Sequence, residues 1–167
     1  YPEAGENVLT DISFKAKKGQ TIAVIGSTGS GKSTLINLIP RYYDVTKGSV
    51  KVDGVDVRDM TQKELRDKLG YVPQKGVLFS GTIDSNIRYG KPEITDAQVK
   101  EAAEVAQATE FIDTKPEKYE SPVSQGGTNV SGGQKQRLSI ARAIAKDPEI
   151  FIFDDSFSAL DLRLTVS

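Results

Sequence analysis

Eight consecutive residues near the start of the chain have the types and spacing of a phosphate-binding loop. They follow the pattern G-x-x-x-x-G-K-[ST] and are Gly26, Ser27, Thr28, Gly29, Ser30, Gly31, Lys32 and Ser33. Glycines let the backbone turn sharply and direct several N–H groups towards a chain of phosphates. We expect Lys32 to reach the β- and γ-phosphates of a nucleotide, the Ser33 hydroxyl to ligate Mg²⁺, and Thr34 to add a polar contact.

The segments on both sides of this loop are those that such a loop requires. Residues 21–25 are a β-branched apolar run, which predicts a strand buried on both faces. Residues 33–39 are apolar enough to pack as a helix before Pro40 disrupts the pattern. The helix N-terminus would add a partial positive charge at the phosphates, so the strand–loop–helix context supports the phosphate-binding prediction.

The rest of the chain predicts strands and helices around this loop. The predicted strands lie over 8–17, 70–72 and 150–153, the last of them central and parallel, and a hairpin over 48–57 turns at Asp53-Gly54. The predicted helices lie over 61–69, capped by Thr61 with Glu64, over 95–108 and over 134–146, and a loop is predicted over 117–128. The last helix has Leu138, Ala141, Ile144 and Ala145 on one face and Arg137 and Arg142 off it. This order predicts an α/β nucleotide-binding core with a helical insertion near residues 76–146.

Composition limits the range of functions. The chain has 167 residues, 37% of them hydrophobic, which suits one compact α/β domain. A net charge of −1 offers no basic field for nucleic acid, so no nucleic-acid partner is expected. There is no cysteine for a disulfide or a thiolate metal site, and no apolar run approaches the ~20 residues that span a bilayer. The start at Tyr1-Pro2, without methionine, suggests an excised domain.

A second short motif narrows the function. Ser131, Gly132, Gly133 and Gln134 are followed by Lys135-Gln136-Arg137 and, later, by an apolar run that ends in Asp154-Asp155. With this motif the chain resembles, over essentially its whole length, the ATP-binding domain of ABC transporters, whose signature motif these four residues match. The resemblance implies a P-loop core with a mostly parallel sheet and an N-terminal antiparallel β portion (residues 1–75 and 147–167). It also implies a helical subdomain over residues 76–146 that carries the signature.

The resemblance also assigns roles to further residues. Tyr1 resembles the aromatic residue that stacks on adenine, and Gln74 the glutamine that meets Mg²⁺ and the attacking water. Asp154 resembles the Walker B aspartate, so the implied Mg²⁺ ligands are Ser33, Gln74 and Asp154. The family's D-loop, which crosses the dimer interface, corresponds to Ser158, Ala159, Leu160 and Asp161.

In this family two domains pair head to tail, and each ATP lies between one phosphate loop and the partner's signature. The implied partners are therefore a second ATP-binding domain and the coupling helices of a transmembrane domain, at the cytoplasmic face of the membrane. The exporter type is indicated by Leu78, Phe79, Ser80, Gly81, Thr82, Ile83, Asn86 and Ile87. In the loop over 122–127, Gln125 stands where exporters usually carry a glutamate.

One departure from the family pattern concerns hydrolysis. Asp155 occupies the position of the glutamate that polarises the attacking water, and it is shorter by one methylene. Since a misplacement of about 1 Å can cost on the order of 100-fold in rate, we expect a slow site. This pattern resembles the degenerate-site half of a heterodimeric exporter. The alternative is that Asp155 reaches the substrate through a water molecule and works adequately.

The chain also lacks the family's switch histidine, because it contains no histidine at all. That residue lies beyond the D-loop, and residues 162–167 do not supply it. We therefore expect the C-terminal part of the fold to be missing and the isolated fragment to have little or no ATPase activity.

Three other functions compete with an exporter motor domain. A soluble ABC ATPase of DNA repair or translation should show a basic face or a long coiled insertion, and the stretch from Gln74 to Ser131 is compact. A non-hydrolytic, ATP-dependent dimerisation module is suggested by Asp155. An importer ATPase is disfavoured by the string from Phe79 to Ile87.

Overall fold

The structure is a computed structural model that describes residues 8–155 of the chain. The chain divides into two compact units, Tyr1–Arg66 and Asp67–Ser167. Tyr1, the D-loop positions Ser158, Ala159, Leu160 and Asp161, and the tail over 162–167 lie outside the described residues, so their predicted roles stay predictions.

The first unit contains the helix that follows the phosphate loop and a short hairpin. Its elements are α1 (Lys32–Leu38), β1 (Lys51–Val52), β2 (Val55–Asp56), a 3₁₀ turn (Val57–Asp59) and α2 (Gln62–Asp67), at whose last turn the unit ends. The helix predicted over 33–39 is confirmed, beginning one residue earlier. Gly31 precedes it with a φ of 88°, a left-handed conformation that glycine adopts without strain.

The hairpin and α2 are also confirmed, because local side-chain chemistry determines both. Asp53 and Gly54 have φ values of 51° and 80°, and this pair of positive angles gives the tight turn that matches strand twist. At α2, the Thr61 amide donates to Glu64 Oε2 (2.9 Å) and the Glu64 amide donates to Thr61 Oγ1 (3.2 Å). This reciprocal capping starts the helix where the sequence predicts it. It ends at Asp67, because Leu69 already belongs to the next strand.

The two strands predicted before the phosphate loop are wrong for this structure. Neither residues 8–17 nor residues 21–25 are strand, and no described strand pairs with them. Most apolar side chains there are exposed, up to 92% for Ile25, although Leu9 is partly covered. An apolar alternation records which side chains favour burial, but a strand also needs a neighbouring backbone to pair with.

The second unit combines short strands with a layer of helices. Its elements are β3 (Leu69–Val72), β4 (Gly81–Thr82), α3 (Ile83–Ile87), α4 (Asp96–Val105), α5 (Thr109–Asp113), a 3₁₀ turn (Lys118–Glu120), β5 (Pro122–Val123), a second 3₁₀ turn (Gln125–Gly127), α6 (Gly132–Ala145) and β6 (Ile150–Phe153). The predicted α/β class is thus confirmed.

Strands β3 and β6 form a parallel pair. Leu69 lies opposite Ile150, and Val72 lies opposite Phe153. The prediction of parallel pairing for residues 150–153 is confirmed, but the central position is not. Within residues 8–155, β6 pairs with β3 alone, and Phe151 remains 45% exposed because one face has no cover there.

The core of the second unit lies between its helices. Helix α6 packs on α3 and α4, and the predicted apolar face of α6 is confirmed, with Leu138 and Ala141 fully buried. The helix begins two residues before the predicted start, because Ser131 caps it. Arg142 is not one of the buried residues of α6, as predicted, although its guanidinium contacts polar and aromatic partners that the sequence did not indicate.

The segment over 117–128, which its polar composition predicts to be a loop, contains one short strand. Pro122–Val123 pairs antiparallel with Gly81–Thr82, and the Ile83 amide donates to Ser121 O at 3.1 Å. Proline is compatible with an edge position, where its missing N–H breaks no ladder. Among residues 8–155, no helix has the length and apolar character that crossing a membrane requires.

Candidate functional site

The phosphate loop in the first unit has the backbone that its glycines predict. The Ser30 amide donates to Ser27 O at 3.2 Å and closes a turn, and Gly29 has a φ of 80°. The Leu35 amide then donates to Gly31 O at 2.9 Å, which begins the hydrogen-bond ladder of α1. The loop therefore leads directly into a helix N-terminus, whose free N–H groups and dipole favour an anion.

Lys32 folds back over this loop. Its Nζ donates to Gly26 O and to Ser27 O, both at 2.8 Å. These acceptors carry no net charge, so a phosphate oxygen within reach would make a stronger, charge-assisted bond with the same ammonium. The lysine is thus placed to serve an anion in the loop.

Two glycines of the loop lie close to neighbouring side chains. A Cβ at Gly26 would lie 2.6 Å from Ser30 Oγ, and one at Gly31 would lie 2.8 Å from Leu9 Cδ2. A larger residue would have to displace these side-chain ends, and at Gly31 it would also strain a backbone whose φ is 88°. Its residues therefore fit a bound phosphate chain, which needs backbone N–H groups at close range.

In the second unit, the candidate catalytic residues lie at the carboxyl ends of β3 and β6. Gln74 follows β3 after Pro73, and Asp154 and Asp155 follow β6. The Asp154 amide donates to Val72 O at 3.0 Å and extends the parallel pairing by one residue. Parallel strands bring their carboxyl ends to one edge of the sheet, where α/β proteins bind ligands.

Gln74 and Asp155 are in contact at this edge. Gln74 Nε2 donates to Asp155 Oδ2 at 3.3 Å. Asp155 has a φ of 47°, in the left-handed region that aspartate tolerates better than most residues. The structure thus brings together the two residues predicted to handle the attacking water.

Tyr71 is a neighbour of this cluster that the sequence interpretation missed. Its hydroxyl donates to Asp154 Oδ2 at 3.4 Å. The sequence could have indicated this contact, because a tyrosine near the end of an apolar strand usually has a polar partner for its hydroxyl.

The signature residues form the N-terminus of α6. Ser131 is the N-cap: its Oγ accepts from the Gln134 amide (3.2 Å), and Gln134 Oε1 accepts from the Ser131 amide (3.1 Å). The helix N-terminus expected at Gln134 therefore lies at Gly132. A Cβ added at Gly132 or Gly133 would meet nothing within 4 Å. Within the described chain, neither glycine is required by packing.

Sequence interpretation also missed two polar side chains that reach from α6 to the segment after β3. Gln136 contacts the backbone of Pro73 and Gly76. Arg142 Nε donates to Asn86 O (2.7 Å) and Nη1 to Val77 O (2.9 Å). No short-range pattern could have indicated these partners.

The Arg142 guanidinium also stacks on aromatic rings. It lies 5.3 Å from the Phe79 ring centre and 5.4 Å from that of Tyr89. Burial lowers the pKa of Arg142 from its ordinary value, and Tyr89 opposes the shift. These contacts hold together part of the string from Leu78 to Ile87 that the resemblance associates with exporters.

The predicted Mg²⁺ ligands are divided between the units, Ser33 in the first and Gln74 and Asp154 in the second. No cluster of three or more His, Cys, Asp or Glu residues occurs within residues 8–155. A hydroxyl, an amide and one carboxylate are nevertheless oxygen donors of the kind that Mg²⁺ accepts together with waters and phosphates. Each residue is thus a donor of a type that suits this ion, and a shared role for the three stays a prediction.

Comparison with known proteins agrees with this geometry. A family model described as ABC transporter matches residues 9–158. The chain is 50% identical over 163 residues to the putative multidrug export ATP-binding/permease protein YgaD of Bacillus subtilis. That match covers 98% of this chain and 28% of the relative. The chain is also 52% identical over 166 residues to an uncharacterized ABC transporter ATP-binding protein of Mycobacterium bovis, a match that covers 98% of this chain and 28% of that relative.

A solved structure shows the same fold. A bacterial Atm1-family ABC exporter with ATP bound matches with a TM-score of 0.77 and 44% identity, over 82% of this chain and 24% of that chain. The chain thus spans just over a quarter of the length of the curated relatives it matches. Its motifs, its fold and these matches agree, and the chain belongs to the ABC transporter family as an ATP-binding ATPase domain.

Proposed function

We propose that this chain is the motor domain of an ABC exporter, which binds MgATP and closes head to tail on a second ATP-binding domain to drive efflux of a substrate. In this proposal its own site hydrolyses ATP slowly, because Asp155 replaces the usual glutamate. Its signature residues complete the site of the partner. The domain would work at the cytoplasmic face of the membrane, against the coupling helices of a transmembrane domain.

The geometry of Lys32 carries the proposal of ATP binding. Its ammonium is held over a glycine loop by two carbonyls that an anion would replace, at the start of a helix. Ser33, Gln74 and Asp154 would hold Mg²⁺, which when bound would neutralise charge on the phosphates. Thr34 and, on the predicted roles, Tyr1 would add contacts to the nucleotide.

Gln74 and Asp155 would orient the water that attacks the γ-phosphate. The attack forms a bond from the water oxygen to phosphorus and breaks the bond to the leaving ADP oxygen, while a proton leaves the water. Asp155 retains the charge to accept that proton. Its carboxylate is one methylene shorter than that of glutamate and is already engaged by Gln74. Both features support a slow site.

The signature glycines support the proposed pairing. Gly132 and Gly133 lie in the first turn of α6, where alanine would fit the described chain without a clash. Glycine at such positions costs about 0.5–1 kcal/mol of helix stability each relative to alanine. A partner's nucleotide that comes close to this backbone would explain why glycine occupies both positions. Ser131 and the helix N-terminus offer hydrogen-bond donors to its γ-phosphate.

Support for export comes from the relatives. YgaD is named as a putative multidrug export ATP-binding/permease protein, and the Atm1-family structure is that of an ABC exporter. The heterodimeric arrangement is supported by an intact signature beside a substituted catalytic carboxylate. A non-hydrolytic dimerisation module remains the second candidate, because Asp155 favours it as well.

ATP binding is tested with the full-length transporter and its partner. We expect Lys32→Ala to weaken ATP binding at this chain, measured with a photoreactive ATP analogue, by tenfold or more, on the order of the loss of one charge-assisted contact. Lys51→Ala, an exposed lysine in β1, is the matched control. Equal labelling of Lys32→Ala and the unsubstituted chain would contradict the proposed ATP site.

Pairing is tested by the effect of one chain on the other. Ser131→Ala should lower ATP hydrolysis at the partner's site while ATP binding to this chain's own phosphate loop is retained. Vanadate trapping of labelled nucleotide, followed by separation of the two domains, measures each site. If Ser131→Ala reduced trapping only on its own chain, the head-to-tail arrangement would be wrong.

A further inference from the structure

We propose that Gln136 is a positioning residue, which ties the signature helix α6 to the segment that carries Gln74. The inference concerns how the two ends of the second unit are linked, and its consequence for turnover rests on the function proposed above. Gln136 lies two residues after the signature, on the second turn of α6.

The side-chain amide of Gln136 bonds to the backbone on both sides of Gln74. The Gly76 amide donates to Gln136 Oε1 at 3.1 Å, and Gln136 Nε2 donates to Pro73 O at 3.3 Å. Both the acceptor and the donor of this one amide are thus used on a four-residue segment. With two bonds, the segment cannot rotate or shift freely about the side chain.

Gln136 is also well shielded from water. Its side chain is 3% exposed, in a helix whose neighbouring buried positions are Leu138 and Ser139. Burying an amide without partners costs free energy, so the bonds to Pro73 and Gly76 are what make a glutamine acceptable here. In a shielded setting these bonds are not exchanged readily for bonds to water.

Gly76 brings the backbone of the segment into direct contact with α6. A Cβ at Gly76 would lie 2.7 Å from Lys135 O and 2.8 Å from Ser139 Oγ. The segment therefore sits against the helix at a distance that only glycine permits. This close packing is independent of the hydrogen bonds and points to the same attachment.

The attachment joins the two functional ends of the unit. Helix α6 starts at the Ser131 cap, and a helix moves as a stiff body over one or two turns. A shift of its N-terminus therefore carries Pro73 and Gly76 with it. Gln74 lies between them and reaches Asp155. The position of the signature and that of Gln74 are thus coupled through Gln136.

The link itself is tested by amide hydrogen exchange on the full-length transporter without nucleotide. Gln136→Leu keeps the side-chain size and removes both bonds, so the Gly76 amide should exchange at least about tenfold faster. Gln136→Glu keeps the acceptor for that amide and removes the donor to Pro73 O, and should give a smaller increase. Arg137→Met is the control on the same helix, because the Arg137 side chain bonds to Gln107 O and not to this segment, and it should leave the Gly76 amide unchanged. Unchanged exchange in Gln136→Leu would overturn the proposal.

The role in turnover is tested by a double-mutant cycle in the same transporter. Gln136→Leu should lower the rate of vanadate trapping of nucleotide at this chain's own site about tenfold, with the ATP Kd of that site within about threefold, because it displaces Gln74 without touching nucleotide. If Gln136 acts through Gln74, the double variant Gln74→Ala/Gln136→Leu should be no slower than Gln74→Ala. Arg137→Met, whose side chain bonds to Gln107 O, should keep this trapping rate within about twofold. A multiplicative loss in the double variant, or no loss in Gln136→Leu, would overturn the proposed positioning role.

These experiments separate the inference from the proposed function. A transporter that neither binds nor hydrolyses ATP in its unsubstituted form would contradict the proposed function. The exchange measurement needs no nucleotide, so it decides the attachment of Gln136 in either case.

Discussion

Gln74 donates a hydrogen bond to Asp155 at 3.3 Å, although the two residues are 81 positions apart in the chain. The bond crosses between the ends of β3 and β6, whose pairing places Val72 opposite Phe153. An amide that engages the carboxylate competes with a water for the same oxygen. We therefore expect the length of the side chain at position 155 to affect the rate of ATP hydrolysis.

Asp155→Glu should raise the ATPase rate of the full-length transporter with its partner. The additional methylene extends the carboxylate by about 1.5 Å, one carbon–carbon bond length. Since displacements of that size change rates by about 10- to 100-fold, we expect an increase of at least about tenfold at this site. Vanadate trapping on this chain measures it, with Asp154→Glu as a control that should not gain activity. An unchanged rate would mean that Asp155 already serves or that the partner's signature limits the site.

Gly31→Ala and Gly132→Ala should have different effects, because the fold requires glycine at position 31 and a partner is proposed to require it at position 132. Gly31 has a φ of 88° and a Cβ there would meet Leu9, so its substitution should disturb the phosphate loop. Gly132 has open space, so alanine should leave the domain as stable or more stable, by up to about 1 kcal/mol. Thermal unfolding measures this stability. Partner-dependent ATPase activity should nevertheless fall in Gly132→Ala, and unchanged activity would argue against a close approach at this glycine.

Arg142→Met should destabilise the second unit, because it removes three hydrogen bonds, one of them to the backbone oxygen of the buried Asn86. Its guanidinium serves Val77 O and both oxygens of Asn86, a residue only 1% exposed. Losing such charge-assisted bonds should cost about 2–4 kcal/mol. Arg137→Met is the matched control on the same helix, since Arg137 makes one exposed bond, to Gln107 O. Amide exchange over α3 (Ile83–Ile87) measures the difference, and equal exchange in the two variants would contradict the assignment.

The hairpin in the first unit should lose stability in acid. The Arg58 side chain, and then its backbone amide, hold the pKa of Asp56 at about 2, below its usual value near 4. A carboxyl with a lowered pKa in the folded state contributes stability above its unfolded pKa. That contribution is lost as the pH falls from about 4 to about 2.

NMR titration of the Asp56 carboxyl measures this pKa directly. Arg58→Met should return it towards 4, and the hairpin of Asp56→Asn should no longer respond over that pH interval. Because Arg58 is exposed and Asp56 is only partly buried, the shift should shrink in high salt. A pKa near 4 in the unsubstituted chain would contradict the contact.

Short-range features were predictable from the sequence because they depend on residues within one or two turns. The tight turn at Asp53-Gly54, the capped start of α2 and the glycine loop before α1 all follow from local backbone preferences. The start of α6 is a partial exception. Its capping box at Ser131 and Gln134 was readable from the sequence, yet the two glycines, poor helix formers, favoured a later start.

Strand pairing and side-chain partners were not predictable in the same way. The segments over 8–17 and 21–25 have the composition of strands, but pairing depends on a second backbone whose position no local pattern specifies. For the same reason, β5 was not predicted, because its proline suggested a loop. Nor were the partners of Arg142.

The sequence by itself determined the family, the phosphate loop and the signature, because these are contiguous motifs whose chemistry needs particular residue types at set spacings. Only the tertiary structure decided that Gln74 meets Asp155 and that Gln136 holds the segment around Gln74. Those contacts join residues 60 or more positions apart. They arise from the parallel register of β3 with β6 and from the packing of α6 against the chain, which are properties of the folded molecule as a whole.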